Sequence, residues 1–256
     1  MYFDTHAHYD DRRFDEDRDA LLSSMSGGGV SLIMNAASSL RSSKFALKLA
    51  DKYPFVYASV GVHPHDSKSM TDDSVALLEK LAAHPKAMAV GEIGLDYHYD
   101  FSPRDVQRKR FREQLELARK LSKPVIVHER EALTDTLDII GEYSDLSGVV
   151  HCFSGSLETA KTIIGMGWYL SFTGVVTYKN ARRAPEVLGW MPSDRIMLET
   201  DCPYLSPEPV RGKRNSSLFL PYIAERIAEI RGVSAEDVAA LTMENGLRFF
   251  GIVRAC

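Results

Sequence analysis

The sequence predicts an α/β fold, a (β/α)8 TIM barrel with extra C-terminal helices, as a single domain over residues 1–256. Three observations carry this. Short runs rich in Val, Ile and Ala alternate with longer segments of helical spacing, and eight such runs can be counted. The length of 256 residues also matches the roughly 250 that eight strand–helix units need.

The runs read as strands are Tyr2–His6, Val30–Asn35, Val56–Gly61, Ala87–Glu92, Pro124–His128, Gly148–His151, Trp168–Phe172 and Arg195–Glu199. Near-continuous apolar strands alternating with helices indicate a parallel sheet covered on both faces. Amphipathic segments lie between them, such as Asp105–Leu121, where Phe111, Leu115 and Ala118 share one face. Two more helical segments, Leu218–Arg231 and Ala235–Phe250, follow the eighth run and can close or flank the barrel. An open, doubly wound sheet is the main rival, because periodicity does not report closure. Such a sheet usually has a glycine-rich phosphate turn after its first strand, whereas this first run ends in Thr5-His6-Ala7-His8. No low-complexity stretch or linker divides the chain, so one domain is the economical reading.

A formal charge of -4, with acids and bases interspersed, tells against a protein that coats nucleic acid by counterion release. It leaves room for an enzyme whose metal ions bring positive charge to a phosphate. Cys152, Cys202 and Cys256 do not make a disulfide framework and suit a reducing cytoplasm. Met1-Tyr2-Phe3-Asp4 has neither the basic segment nor the apolar run of a signal peptide. Nowhere do about 18 apolar residues run together, as a membrane span requires. A cytoplasmic monomer without membrane contact is expected.

The chemistry lies where the histidines and acids fall. His6 and His8 stand two apart at the end of the first run, and a strand turns alternate side chains to the same face. Glu92, His128 and His151 each end a later run, and Asp201 follows the eighth. In a barrel the C-terminal strand ends converge on one rim. Four histidines and two carboxylates from five strands are therefore expected in one pocket. This set suits two divalent ions with a carboxylate able to bridge them. Singly, each residue has a plainer account: a strand-end histidine is most often hydrogen-bonded packing, and a lone acid there commonly caps the next helix. That account must hold independently at five strand ends, which chance placement hardly sustains.

Over essentially its whole length the chain resembles the TatD-type metal-dependent deoxyribonucleases, a branch of the amidohydrolase-like TIM barrels. The resemblance is carried by Asp4-Thr5-His6-Ala7-His8, Gly61-Val62-His63-Pro64, Gly91-Glu92-Ile93-Gly94-Leu95-Asp96-Tyr97 and Pro124-Val125-Ile126-Val127-His128. It continues through His151-Cys152-Phe153-Ser154-Gly155, Leu198-Glu199-Thr200-Asp201-Cys202-Pro203-Tyr204, Arg211-Gly212-Lys213-Arg214-Asn215, Asn245 and Phe249-Phe250. It implies a two-metal site with His6, His8, Glu92, His128, His151 and Asp201 as ligands, and hydrolysis of DNA phosphodiester bonds as a DNase or exonuclease. Histidine-rich ligation suits Zn2+ or Mn2+, while the resemblance implies that Mg2+ supports activity. One departure follows Asn215, where an acidic residue and proline are expected and Ser216-Ser217 stand instead.

Within this site Glu92 is assigned the bridging role, since one carboxylate can offer an oxygen to each ion. His6 and His8 with Glu92 would hold the first ion, and His128 and His151 the second. Asp201 is the candidate to orient the attacking water and take its proton; its alternative is a plain ligand. His63 is either a site residue that hydrogen-bonds a phosphate oxygen or a loop residue, and His65 is a weaker case. Arg130 contacts phosphate or pairs with Glu129 or Glu131. Arg211, Lys213 and Arg214 form a basic loop, either solvated or in contact with phosphate. Tyr97, with His98 and Tyr99, either stacks on bases of a single strand or packs the loop. Cys152 and Cys202 adjoin ligands, but neighbouring strand residues face opposite ways, so packing is their expected role. The expected partner is DNA, single-stranded or at an exposed end. The nearest competing function keeps the site and changes the bond, as an amidohydrolase-like esterase, amidase or lactonase, including one acting on an ester on tRNA. The basic loop and the aromatics favour nucleic acid. A silent scaffold would have lost ligands, yet all six candidates are present.

Overall fold

The structure, a computed structural model, describes residues 1–253. Cys256 lies outside the described residues. The strands are β1 (Tyr2–Ala7), β2 (Val30–Asn35), β3 (Val56–Val60), β4 (Ala87–Asp96), β5 (Val125–Arg130), β6 (Gly148–Val150), β7 (Tyr169–Phe172) and β8 (Ile196–Leu198). The helices are α1 (Arg18–Ser23), α2 (Leu40–Lys52), α3 (Asp72–Ala82), α4 (Arg104–Leu121), α5 (Leu133–Gly141), α6 (Leu157–Gly165), α7 (Ala184–Trp190), α8 (Leu220–Arg231) and α9 (Ala235–Phe250).

The sheet runs in the order β1 to β8, and Ala7 of β1 bridges in parallel to Cys202, just past β8. Sequential parallel order with the last strand beside the first is that of a (β/α)8 barrel, as the alternation of the sequence predicts. Contacts cluster into two compact units. One holds Met1–Asn35, Cys152–Gly165 and the chain from Tyr169 onward; the other holds Ala36–His151 with Met166–Trp168.

In the first unit α9 is the packing hub. Its capping box, Ser234 with Asp237, starts the helix, and Gly251, at φ 64°, ends it. Phe250 meets Phe3 of β1 with ring centroids 5.7 Å apart, and Phe249 meets Tyr169 of β7 at 5.1 Å. Burying each such side chain contributes about 1.5–3 kcal/mol. Asn245 Nδ2 donates to the carbonyls of Ser193 and Ile196, both at 2.8 Å, and so pins the entry of β8.

In the second unit α4 does the equivalent work. It buries Phe111, Leu115 and Ala118, the face that the sequence predicts. Two glutamines from α4 then clamp backbone at strand ends. Gln114 accepts from Val62 N–H at 2.7 Å and donates to Val62 O at 3.1 Å. Gln107 accepts from Asp96 N–H at 2.9 Å and donates to Asp96 O at 3.1 Å. Lys86 Nζ gathers the carbonyls of Ala50, Tyr53, Pro54 and Val56, at 2.6 to 3.2 Å, at the C-terminal end of α2.

Three strands outrun their expected ends: β1 by one residue, β4 by four and β5 by two. The β4–β5 ladder continues with Ile93 opposite Val127, Gly94 opposite His128, Leu95 opposite Glu129 and Asp96 opposite Arg130. Glycine and charged residues hide this extension from an apolar pattern. Gly94 is needed there: at φ 139°, a Cβ would lie 2.0 Å from the carbonyl oxygen of His128. Replacing it has to push β5 away from β4 or twist the backbone into a region closed to L side chains.

Gly94→Ala is therefore expected to destabilise the protein by at least about 2 kcal/mol, lowering Tm by roughly 4–8 °C. A thermal melt within one degree of wild type would contradict this reading of the β4–β5 junction.

Candidate metal centre

The first unit presents one group of ligand-capable atoms. His6 lies on β1 and His8 just beyond it, and their Nε2 atoms are 3.1 Å apart. Asp201 Oδ1 lies 3.2 Å from His8 Nε2 and 3.8 Å from His6 Nε2. The loop after β8 is stitched to β1 by its backbone: Asp201 N–H donates to His6 O at 2.9 Å, and His8 N–H to Cys202 O at 2.8 Å. Asn215 Nδ2 holds the same loop through the carbonyls of Thr200 (2.9 Å) and Tyr204 (2.6 Å).

Beneath these side chains Asp4 is fully buried. Its carboxylate accepts from Thr200 N–H (2.9 Å), Thr200 Oγ1 (2.5 Å) and Ser217 Oγ (2.6 Å). Burial pushes this carboxyl up to about 7, against the downward pull of the Ser217 and Thr200 hydrogen bonds. Because Ser217 donates to Asp4, its oxygen is left to accept from the Tyr9 hydroxyl at 2.8 Å. Ser217 belongs to the departure noted after Asn215, so that serine has a definite structural task. Glu199, also buried, accepts from Cys152 N–H at 2.7 Å. Cys202 is buried, and that burial pushes its thiol well above the ordinary range, which makes it inert. Cys152 sets its sulfur 3.5 Å from Thr173 Oγ1.

The second unit presents the other group, centred on Glu92. Its Oε1 lies 2.8 Å from His151 Nε2, 2.9 Å from His128 Nδ1 and 3.3 Å from His63 Nε2. Burial alone would raise the Glu92 pKa, but the imidazoles of His151 and His63 and hydrogen bonds with His128 and His151 outweigh it. The carboxyl is held well below the usual range. His63 Nδ1 accepts from His65 N–H at 3.2 Å. The neutral His63 ring therefore carries its proton on Nε2 and donates to Glu92. Burial, with His128 and His65 nearby and Glu92 opposing, lowers its pKa to about 4.

A further carboxylate, Asp96, was not among the expected site residues. Its Oδ2 lies 2.8 Å from His65 Nε2 and 3.1 Å from His128 Nε2. Its Oδ1 accepts from the backbone of His98 (3.0 Å) and Tyr99 (2.9 Å). Burial works against the charge of Asp96, yet these hydrogen bonds pull its pKa well down. His128, between two carboxylates, keeps a raised pKa despite burial. A signal for Asp96 was present: it stands four residues beyond Glu92, an even number, so a strand running that far turns both to one side.

The donor chemistry fits a divalent cation. Ligand atoms around one ion at about 2.0–2.2 Å stand roughly 3–3.5 Å from one another. The separations of 2.8 to 3.2 Å among Glu92, His151 and His128 have that scale. The atoms of His63, Glu92 and His128 lie within 4.8 Å of one another. Imidazole and carboxylate together suit zinc, manganese or magnesium.

Arg130 pairs with neither neighbouring acid: Glu129 accepts from Ala132 N–H at 2.8 Å and Glu131 pairs with His98 at 2.7 Å. Its guanidinium lies over the Tyr99 ring, 4.8 Å from the centroid. Tyr97 is committed to packing, with Arg104 over its ring at 4.3 Å and its hydroxyl bonded to Asp135. Arg214 is committed too, to Asp17 at 2.5 Å, to the Arg13 carbonyl at 2.7 Å and over Phe14. Arg211 lies over Tyr178 at 4.2 Å and 3.6 Å from Glu208. Lys213 is exposed.

The family described as TatD related DNase matches residues 3–251. The uncharacterized metal-dependent hydrolase YabD of Bacillus subtilis is 41% identical over 254 residues, covering 98% of this chain and 100% of its own. The 3'-5' ssDNA/RNA exonuclease TatD of Cronobacter sakazakii is 36% identical over 257 residues, covering 97% of each chain. The crystal structure of YjjV, a TatD homologue from Escherichia coli K12, superposes with a TM-score of 0.92 at 29% identity over 98% of each chain. On sequence and fold alike, this chain belongs to the TatD-related DNase family.

Proposed function

We propose that this chain is a metal-dependent deoxyribonuclease, with two divalent ions held by His6, His8, Glu92, His128, His151 and Asp201. The observation that carries the reading is the gathering of His63, His128 and His151 nitrogens within 3.3 Å of one oxygen of the buried Glu92. Similarity to a relative named as an exonuclease points the chemistry toward nucleic acid.

When bound, two such ions supply positive charge against a phosphodiester and acidify a water molecule. The protein's own groups do the rest. Glu92 would offer its carboxylate oxygens as ligands. His63 donates to Glu92 and fixes the direction of that carboxylate. Asp96 orients the rings of His128 and His65 from behind, as second-layer carboxylates do for metal-binding imidazoles. Asp201, 3.2 Å from His8, would take the proton of the attacking water as the phosphorus–oxygen bond to the leaving group breaks. We place the enzyme in the cytoplasm as a monomer; no described helix is long and apolar enough to cross a membrane.

Metal-stripped protein is expected to leave end-labelled single- and double-stranded DNA intact. Separate addition of magnesium, manganese or zinc should restore shortening from one end. No cleavage with any of them, in protein that binds the ions, would overturn the nuclease reading in favour of ester or amide hydrolysis. Glu92→Gln, nearly isosteric, is expected to cut metal-dependent turnover by about 100-fold or more, with the circular dichroism spectrum retained. Wild-type rates in that variant would remove Glu92 from the centre of the site.

A further inference from the structure

Past the end of β4 the chain holds two aromatic rings that the metal centre leaves unused. Tyr99 and Phe101 stack with centroids 5.2 Å apart at 21°, yet remain 46% and 55% exposed. Large apolar rings grouped and held open to water mark an interaction site more often than a packed loop. Several contacts fix them there. The Tyr99 N–H is tied to Asp96 Oδ1 at 2.9 Å, and Ser102 Oγ donates to His65 O at 2.8 Å. His65 sets its ring edgewise against both aromatics, at 5.3 Å and 4.9 Å. The same His65 lies 2.8 Å from Asp96 Oδ2, which His128 Nε2 approaches at 3.1 Å. The aromatic pair is thus two side chains away from His128. Arg130 adds positive charge over Tyr99.

Flat rings beside a guanidinium match a nucleobase with its phosphate. A paired base hides its faces in the duplex stack, whereas an unpaired base offers one. We infer that Tyr99, Phe101 and Arg130 form a stacking platform for a nucleobase adjoining the cut phosphodiester. The inference rests on the nuclease reading above.

The test compares kcat/KM on a single-stranded oligonucleotide ending in a normal nucleotide and on the same strand ending in an abasic one. Wild type is expected to prefer the base-bearing end by about tenfold, the scale of one stacked base, chiefly through KM. In Phe101→Ala and Tyr99→Ala that ratio should fall toward one, and Phe101→Trp should keep it. An unchanged ratio in both alanine variants, with wild type cleaving normally, would overturn the platform alone. A wild type that cleaves no oligonucleotide would overturn the nuclease reading, and the platform with it.

Discussion

Burying an ionised carboxylate is costly unless opposite charge or several hydrogen bonds meet it, and Glu92 meets that demand with imidazoles. Its oxygen is approached by His151, His128 and His63, which keep it charged inside the protein. Each of those rings must then be aimed. His63 is aimed by the His65 backbone, which takes up its Nδ1, and His128 by Asp96. A negative centre dressed only with lone pairs and polar hydrogens is a natural place for a cation, which replaces protons as the balancing charge.

The scaffold explains why these side chains stand where they do. The candidate ligands sit at strand ends because the strand fixes their direction while the following loop leaves room for them. Helix α4 contributes more than an apolar face: Gln107 binds the backbone of Asp96, and Gln114 that of Val62, next to His63. Each clamp satisfies buried backbone groups and locks a loop that carries site residues. In the first unit Asp4 plays the corresponding part, joining Thr200 and Ser217 one layer below the His6–His8 pair.

Much of this was legible in the sequence, and the remainder was hidden for identifiable reasons. The eight strands follow from apolar runs, and helix α9 from the helical spacing of Ala235–Phe250. The histidines were visible because each ends a run or stands within two residues of one. Asp96 was missed because β4 was expected to stop at Glu92; the segment Ile93-Gly94-Leu95 mixes glycine into the pattern, and only ladder pairing with β5 shows that the strand continues. Tyr97 and Arg214 carry the right chemistry for substrate contact, but one-dimensional spacing cannot show Asp135 and Asp17 engaging them from other elements. Nothing in the sequence singles out Phe101, because its partner ring and its exposure exist only in three dimensions. The buried role of Ser217 was equally invisible, since its partner Asp4 lies 213 positions away.

The central claim is that Glu92 and its surrounding imidazoles, with His6, His8 and Asp201, form a site for two cations. Elemental analysis of the purified protein after equilibration with manganese and removal of unbound ions tests it most directly. The account predicts two ions per chain. One ion or none would contradict it, whatever the protein then hydrolyses.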